Sequence, residues 1–241
     1  MAEYYSFPLK KIIHLAATLL YVSLFTPALA EELTDCPDAE KNKQTVIFKI
    51  NTIFNENDDG IYFIHRLANS LHIDTQPITL NNEAAFFLRK CIKTQEDMDE
   101  LERHLRKQRY LRDAHVSANN NGKKITVETW DNWSLMPTVS FGRKGGVNTY
   151  SFGIKDRNLL GLGIDAELQS YSNAQREGYS IKLNSPLFQN ENTRLAVRFS
   201  DNDDGTKKSL SLRKNFASFY TDFAYNFGFN EESRQDTIFQ N

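Results

Sequence analysis

Beyond its first thirty residues, the 241-residue chain has no apolar run near the roughly 18–20 residues that a membrane-spanning helix requires, which excludes a polytopic helical membrane protein. An excess of either charge is missing too: 29 Lys and Arg nearly balance 31 Asp and Glu, so the basic footprint of a nucleic-acid binder is absent. Catalytic signatures are lacking as well, with no G-x-S-x-G, H-E-x-x-H, P-loop or paired-carboxylate arrangement. The expectation is a non-enzymatic protein with no cofactor. His65, His72, His104 and His115 are scattered without metal-ligand spacing, and are expected at surface or packing positions with no metal site. What the chain does have is aromatic bulk, 17 Phe, 10 Tyr and 2 Trp, which argues against a disordered polymer. The polar mean hydropathy of -0.55 leaves a β-barrel open, because alternating strands average out their apolar face.

Residues 1–30 read as a secretory signal peptide. Lys10 and Lys11 close a short basic region, Ile12 to Phe25 form the apolar core, and Ala28-Leu29-Ala30 supplies small residues for cleavage. Residues 31–43 read as a polar linker. Export would place Cys36 and Cys91 in an oxidising compartment, where a disulfide between them is permitted; two unpaired thiols, one buried, remain the alternative.

From Thr45 to Phe54 the alternation of Val46, Phe48 and Ile50 predicts a half-buried strand. A helix is predicted to start at Asp58-Asp59-Gly60, with Ile61, Ile64, Leu67 or Ala68, and Leu71 at helical spacing. Thr94 and Asp97 predict a capping box opening a second helix lined by Met98, Leu101 and Leu105. Asp99 to Arg103 and Glu102 to Arg106 are acid-before-base pairs on its solvated face. Ala114, Val116 and Ala118 then alternate, Asn121-Gly122 suits a type I′ turn, and Ile125 and Val127 return. The order strand, helix, helix, strand, strand describes a compact α+β domain over 44–133.

From residue 134 the pattern changes to strictly alternating segments of about ten residues separated by Gly, Asn and Asp turns. Leu162 to Gln169, Tyr179 to Asn184 and Leu195 to Ser200 are examples, and the last strong segment puts Phe219, Phe223, Tyr225, Phe227 and Phe229 on one side. Such alternation fits a soluble sandwich or an outer-membrane barrel. Segment length favours the barrel, since strands usually have about five or six residues. Gly161-Leu162-Gly163-Ile164-Asp165-Ala166 matches a dinucleotide fingerprint, but a strand follows where a helix would be needed. The acidic stretches Asn55–Gly60 and Asp201–Gly205 lack the spacing of a calcium loop and read as polar turns.

Three segments carry a family resemblance. Leu101 to Arg106 with Arg109 to Val116 resembles the last polypeptide-transport-associated (POTRA) domain of the BamA/TamA superfamily of outer-membrane insertases and translocators, within the bacterial surface antigen family. Val127 to Pro137 is similar to that family's domain-to-barrel junction. Asp156-Arg157-Asn158-Leu159-Leu160-Gly161-Leu162-Gly163 is similar to a turn motif early in its barrel, carried here by Asp156, Asn158, Leu160, Gly161 and Gly163. The resemblance implies a POTRA domain of β-α-α-β-β order in the periplasm, followed by an antiparallel transmembrane β-barrel over 134–241. Six or seven strands are counted where the family has sixteen, so the barrel is expected to be incomplete.

By the same resemblance, the protein would help insert or translocate β-rich proteins at the bacterial outer membrane. Its partners would be outer-membrane lipid, unfolded β-rich clients and other subunits of the assembly machinery, with no nucleic acid. Ala114, His115, Val116, Ser117 and Ala118 are the candidate client-binding edge, offering unpaired backbone groups to an extended chain; an ordinary paired strand is the alternative. Thr138 to Arg143 would line the barrel seam. Gly142, Gly145 and Gly146 suit either a weakly held strand or a turn. A passive outer-membrane channel or a secreted β-sandwich binding module are the rival functions.

Overall fold

The computed structural model describes residues 44–54, 62–119, 121–173, 176–188, 190–218 and 221–235. The expected signal peptide, the linker and Cys36 lie outside them, as do Ile61 and the acidic stretch 55–60. Two sheets belong to one unit, Glu32–Asn241. The smaller contains β1 (Thr45–Asn51), β2 (Leu111–Ala118) and β3 (Lys124–Asp131) in the order β1-β3-β2, with β1 parallel and β2 antiparallel to the central strand. Between β1 and β2 run α1 (Phe63–Leu71), α2 (Pro77–Arg89) and α3 (Gln95–Arg106).

Three helices replace the two predicted. The missing one, α2, carries Thr79, Asn81 and Asn82 near its start, residues of poor helix propensity, yet Pro77 stands at its first turn, where a missing N–H costs nothing. Burial of Leu80, Ala84, Phe87 and Leu88 along one side overrides the propensity. These side chains pack with Leu101 and Leu105 of α3 and with Val116, Ile125 and Val127 of the sheet. The helix predicted from residue 58 appears as α1, but none of its residues is buried.

The capping box forms as read: Thr94 Oγ accepts from the Asp97 N–H at 3.1 Å, and Asp97 accepts in return from the Thr94 N–H at 2.8 Å. Glu102 pairs with Arg106 at 3.0 Å, whereas Arg103 turns to Glu100, at 3.5 Å, and not to Asp99. The β2–β3 connection also departs from expectation. A two-residue type I′ turn would close on residues 120 and 123, whereas the Asn119 N–H donates to the Lys124 carbonyl at 3.0 Å; Gly122 has φ +64°. Its N–H bonds to the Asn119 carbonyl, and the Asn119 side chain accepts from the Lys123 and Lys124 amides, closing a longer loop.

The larger sheet is a continuous antiparallel meander of β4 (Leu135–Lys144), β5 (Val147–Leu159), β6 (Ile164–Ser172), β7 (Glu177–Pro186), β8 (Thr193–Asn202), β9 (Gly205–Lys214) and β10 (Tyr225–Arg234). It is not closed: β4 and β10 are its two edges. Gly145 and Gly146, at φ +58° and +83°, form the two-residue β4–β5 turn, while Gly142 lies inside a strand paired over its whole length. The final strand begins at Tyr225, later than the alternation suggested; Phe219 lies outside the described residues.

Register stacks apolar side chains of neighbouring strands on one face. Val139 pairs with Phe152, Ile154 with Leu168, Leu168 with Ile181, Leu183 with Val197 and Val197 with Leu210. Many of these are exposed, Phe141 and Phe227 among them. The opposite face is polar and cross-linked: Lys155 reaches Asp165 and Glu167, and Lys182 reaches Glu167. Among the described residues no helix is long and apolar enough to cross a membrane.

Burial raises the Asp97 carboxyl, but the Lys93 and Thr94 hydrogen bonds outweigh it and leave its pKa below the ordinary value. Its stabilising contribution is therefore complete above about pH 4 and is lost as pH falls through the lowered pKa. Thr94→Ala is expected to cost about 1 kcal/mol, read by urea unfolding at neutral pH, and Asp97→Asn to flatten the stability profile below pH 4.

Candidate functional site

The turn joining β5 to β6 is the place where the large sheet meets the helices. It is built on three residues of unusual backbone: Leu160, Gly161 and Gly163 all have positive φ, at +58°, +73° and +64°. Asp156 starts it by accepting from the Asn158 N–H at 2.9 Å, a local turn of the Asx kind. Asn158 is 1% exposed, and its carboxamide bonds in two directions. Its oxygen accepts from the Gly163 N–H at 2.7 Å, holding the turn shut, and its nitrogen donates to Thr75 Oγ at 2.9 Å in the α1–α2 connection.

Gly161 makes the closest approach. Its carbonyl accepts from the Gln76 N–H and from Thr79 Oγ, each at 2.8 Å, at the start of α2. A Cβ at Gly161 would stand 2.3 Å from the Asp74 carbonyl oxygen, and one at Gly163 would stand 3.0 Å from the Thr79 methyl group. Gly161 therefore demands glycine for space as well as for φ, and Gly163 demands it for φ, with little room beside Thr79. Leu160 is exposed and carries the local cost of a left-handed backbone for a residue with a Cβ.

Behind the turn lies Asp131, the last residue of β3 and fully buried. Its carboxylate accepts from the Thr75 N–H at 2.7 Å, from Thr75 Oγ at 2.8 Å and contacts His72 Nε2 at 3.0 Å. His72, Asp74 and Asp131 thus gather three groups of metal-ligating type, and each Asp131 oxygen also accepts one hydrogen bond from Thr75. A second polar tie comes from β8. Arg194 donates to the Gly163 and Asn184 carbonyls at 2.8 and 3.0 Å and lies 3.8 Å from Glu83 of α2. Glu83 also receives Gln108, contacts His104 at 3.2 Å and meets the Tyr110 hydroxyl at 3.4 Å. Burial, reinforced by the Glu83 charge, pushes the Tyr110 pKa well above its usual value, so the phenol stays neutral.

All five turn residues named from the sequence come together here; Thr75, Glu83, Asp131 and Arg194 were missed. A signal existed for Asp131: it continues the inward register of Ile125, Val127 and Thr129, and an acid in a buried register implies waiting donors.

The predicted edge, Ala114 to Ala118, does lie on the outer strand of the small sheet. Two of its outward amides are nevertheless occupied. Val116 N–H donates to the Glu102 carboxylate of α3 at 2.7 Å, and Ala114 N–H to Asp113 at 2.8 Å. Glu102 is anchored in turn by Arg106 and by His115 Nδ1 at 2.8 Å. Side-chain carboxylates thus blunt the edge. Cys91 is buried and disulfide-bonded; its expected partner Cys36 lies outside the described residues.

Asn158→Ala is expected to destabilise the junction by about 1–3 kcal/mol, because it strands the buried Gly163 N–H. Gly161→Ala should cost more, through the collision with Asp74, while Gly145→Ala, which meets nothing within 4 Å, should cost only about 1–2 kcal/mol for its backbone conformation. Urea unfolding followed by tryptophan fluorescence ranks the three.

No family model and no curated protein matches the chain. Among solved structures it is similar to the crystal structure of BamA from Haemophilus ducreyi lacking POTRA domains 1–3, with a TM-score of 0.39 and 14% sequence identity, covering 71% of this chain and 32% of that one. The chain therefore spans about a third of that structure's length.

Proposed function

We propose that the protein is a non-enzymatic outer-membrane component of the assembly or translocation type, with the large sheet in the bilayer and a POTRA-like α+β domain in the periplasm. The observation that carries this reading is the two-faced sheet. Seven adjacent strands, most of about ten residues, gather apolar side chains on one side, many of them exposed, with Lys208 and Glu231 paired near its margin, as tilted strands crossing a hydrocarbon layer do. The other face carries charges, among them the Lys155, Lys182, Asp165 and Glu167 pairs, which suits a wet interior. A soluble sandwich would bury that apolar side against a second sheet; among the described residues the only other sheet is the small one, whose core is formed with its own helices.

The client-handling part of the reading rests on β2. An extended, β-rich client would add to its outer side by backbone pairing, and it would have to displace Glu102 and Asp113 to do so. The open edges β4 and β10 offer further backbone groups of the same kind.

Two measurements test the reading separately. Membranes carrying the full chain should retain it through a urea wash; release into the supernatant overturns the membrane placement. Glu102→Ala should raise the cross-linking yield between β2 and an unfolded β-rich client severalfold, and a yield no higher than that of the parent chain overturns the edge as the client site.

A further inference from the structure

The helix α1 is oriented against the usual rule for a soluble domain. Amphipathic helices normally turn their apolar stripe inward. Phe63, Ile64, Leu67 and Leu71 share one side of α1, and Phe63, Ile64 and Leu71 are 73%, 66% and 63% exposed. The polar side is the one attached to the protein. Asn69 Oδ1 accepts from the Phe54 N–H at 3.2 Å, and its Nδ2 donates to the Phe54 carbonyl at 2.8 Å. His72, which caps the helix, is tied to buried Asp131. These bonds fix the rotation of α1 and hold its apolar side outward.

The patch does not stop at the helix. Ile64, Leu67 and Leu71 line a groove of about 450 Å³ with Phe54 and Trp133. The Trp133 indole N–H donates to the Leu135 carbonyl in β4. Leu135 opens the side of β4 that continues through Val139 and Phe141, the exposed apolar face of the large sheet. Apolar surface thus runs from α1 across Trp133 onto that face.

We infer that α1 is an interfacial helix, lying on the bilayer surface beside β4 with its Phe63, Ile64, Leu67 and Leu71 side in the headgroup and upper acyl region. This rests on the proposed placement of the large sheet in the bilayer. Lipid is the occupant favoured by continuity, because a protein covering α1 would abut lipid at Trp133. Tyr62 and Trp133 flank the patch with the aromatic residues that concentrate at membrane boundaries. The sequence from Tyr62 to Ile73 contains no acidic side chain to oppose phosphate headgroups. Membrane binding by such a helix scales with the apolar area it buries.

The test uses the full chain carrying Trp130→Phe, which leaves Trp133 as its single tryptophan, in vesicles of phosphatidylcholine and phosphatidylglycerol containing lipid brominated near the headgroup. Trp133 emission should be quenched, and a Leu67→Asp, Leu71→Asp double variant should lose most of the quenching and shift its emission to the red. Both altered leucines are exposed, and retention through a urea wash reports that the sheet remains in place. Absent quenching in a urea-resistant chain overturns the interfacial helix and leaves the sheet reading standing. Quenching that survives the double variant also overturns it, because Trp133 then meets lipid through β4 alone. Trp133 shielded from both brominated lipid and aqueous acrylamide overturns it in favour of a protein occupant such as a second copy. Release of the parent chain by urea overturns the sheet reading, and this inference with it.

Discussion

The close approach of Gly161 to the Asp74 carbonyl is the constraint on which the arrangement of the two sheets depends. A peptide group must enter the gap between the α1–α2 connection and the first turn of α2, and nothing larger than hydrogen fits at its α-carbon. Once seated, its carbonyl takes two donors at the start of α2, Gln76 N–H and Thr79 Oγ. Those are backbone and side-chain groups that an isolated helix start leaves to solvent. The turn therefore serves as part of the cap of α2, and the large sheet is fixed to the helical layer by completing its hydrogen bonding. Asn158 and Asp131 extend the same logic inward, since each has its buried polar atoms matched by donors or acceptors from another element. In such a network a partly satisfied member costs more than an apolar replacement would.

Much of this was legible in the sequence wherever a period or a local cap dictated the structure. Alternation in the second half pointed to six or seven strands and their facing, because a one-residue slip would reverse every side chain. Thr94 and Asp97 located the start of α3 through reciprocal bonds only three residues apart. The turn motif was legible as residues but not as a contact: nothing local in Asp156 to Gly163 reveals that its partner is Thr75, 83 positions away from Asn158. α2 escaped because its early residues favour turns, and only tertiary burial of Leu80, Ala84 and Leu88 makes them helical. The outward face of α1 was equally hidden. Helical spacing fixes which residues share a side, whereas Asn69 and His72 determine which side is turned to the protein.

The blunting of β2 bears on how an exposed edge and a stable domain coexist. An unpaired strand pairs with any extended chain, including another copy of itself, which makes it an aggregation risk. Glu102 relieves that risk at Val116 by supplying one oxygen to one amide, and its own charge is supported by Arg106 and His115. The occupant is a single side chain on a helix rim, not a strand, so it protects one amide without offering the cooperative ladder that a strand would. A client pairing along several residues would gain several backbone bonds for the loss of the Glu102 and Asp113 bonds, whereas a fleeting contact at one residue would gain none. Selection under the proposed function would then be by length of extended backbone, with little dependence on side-chain identity. This is the discrimination needed to tell an unfolded β-rich chain from the folded proteins that surround it.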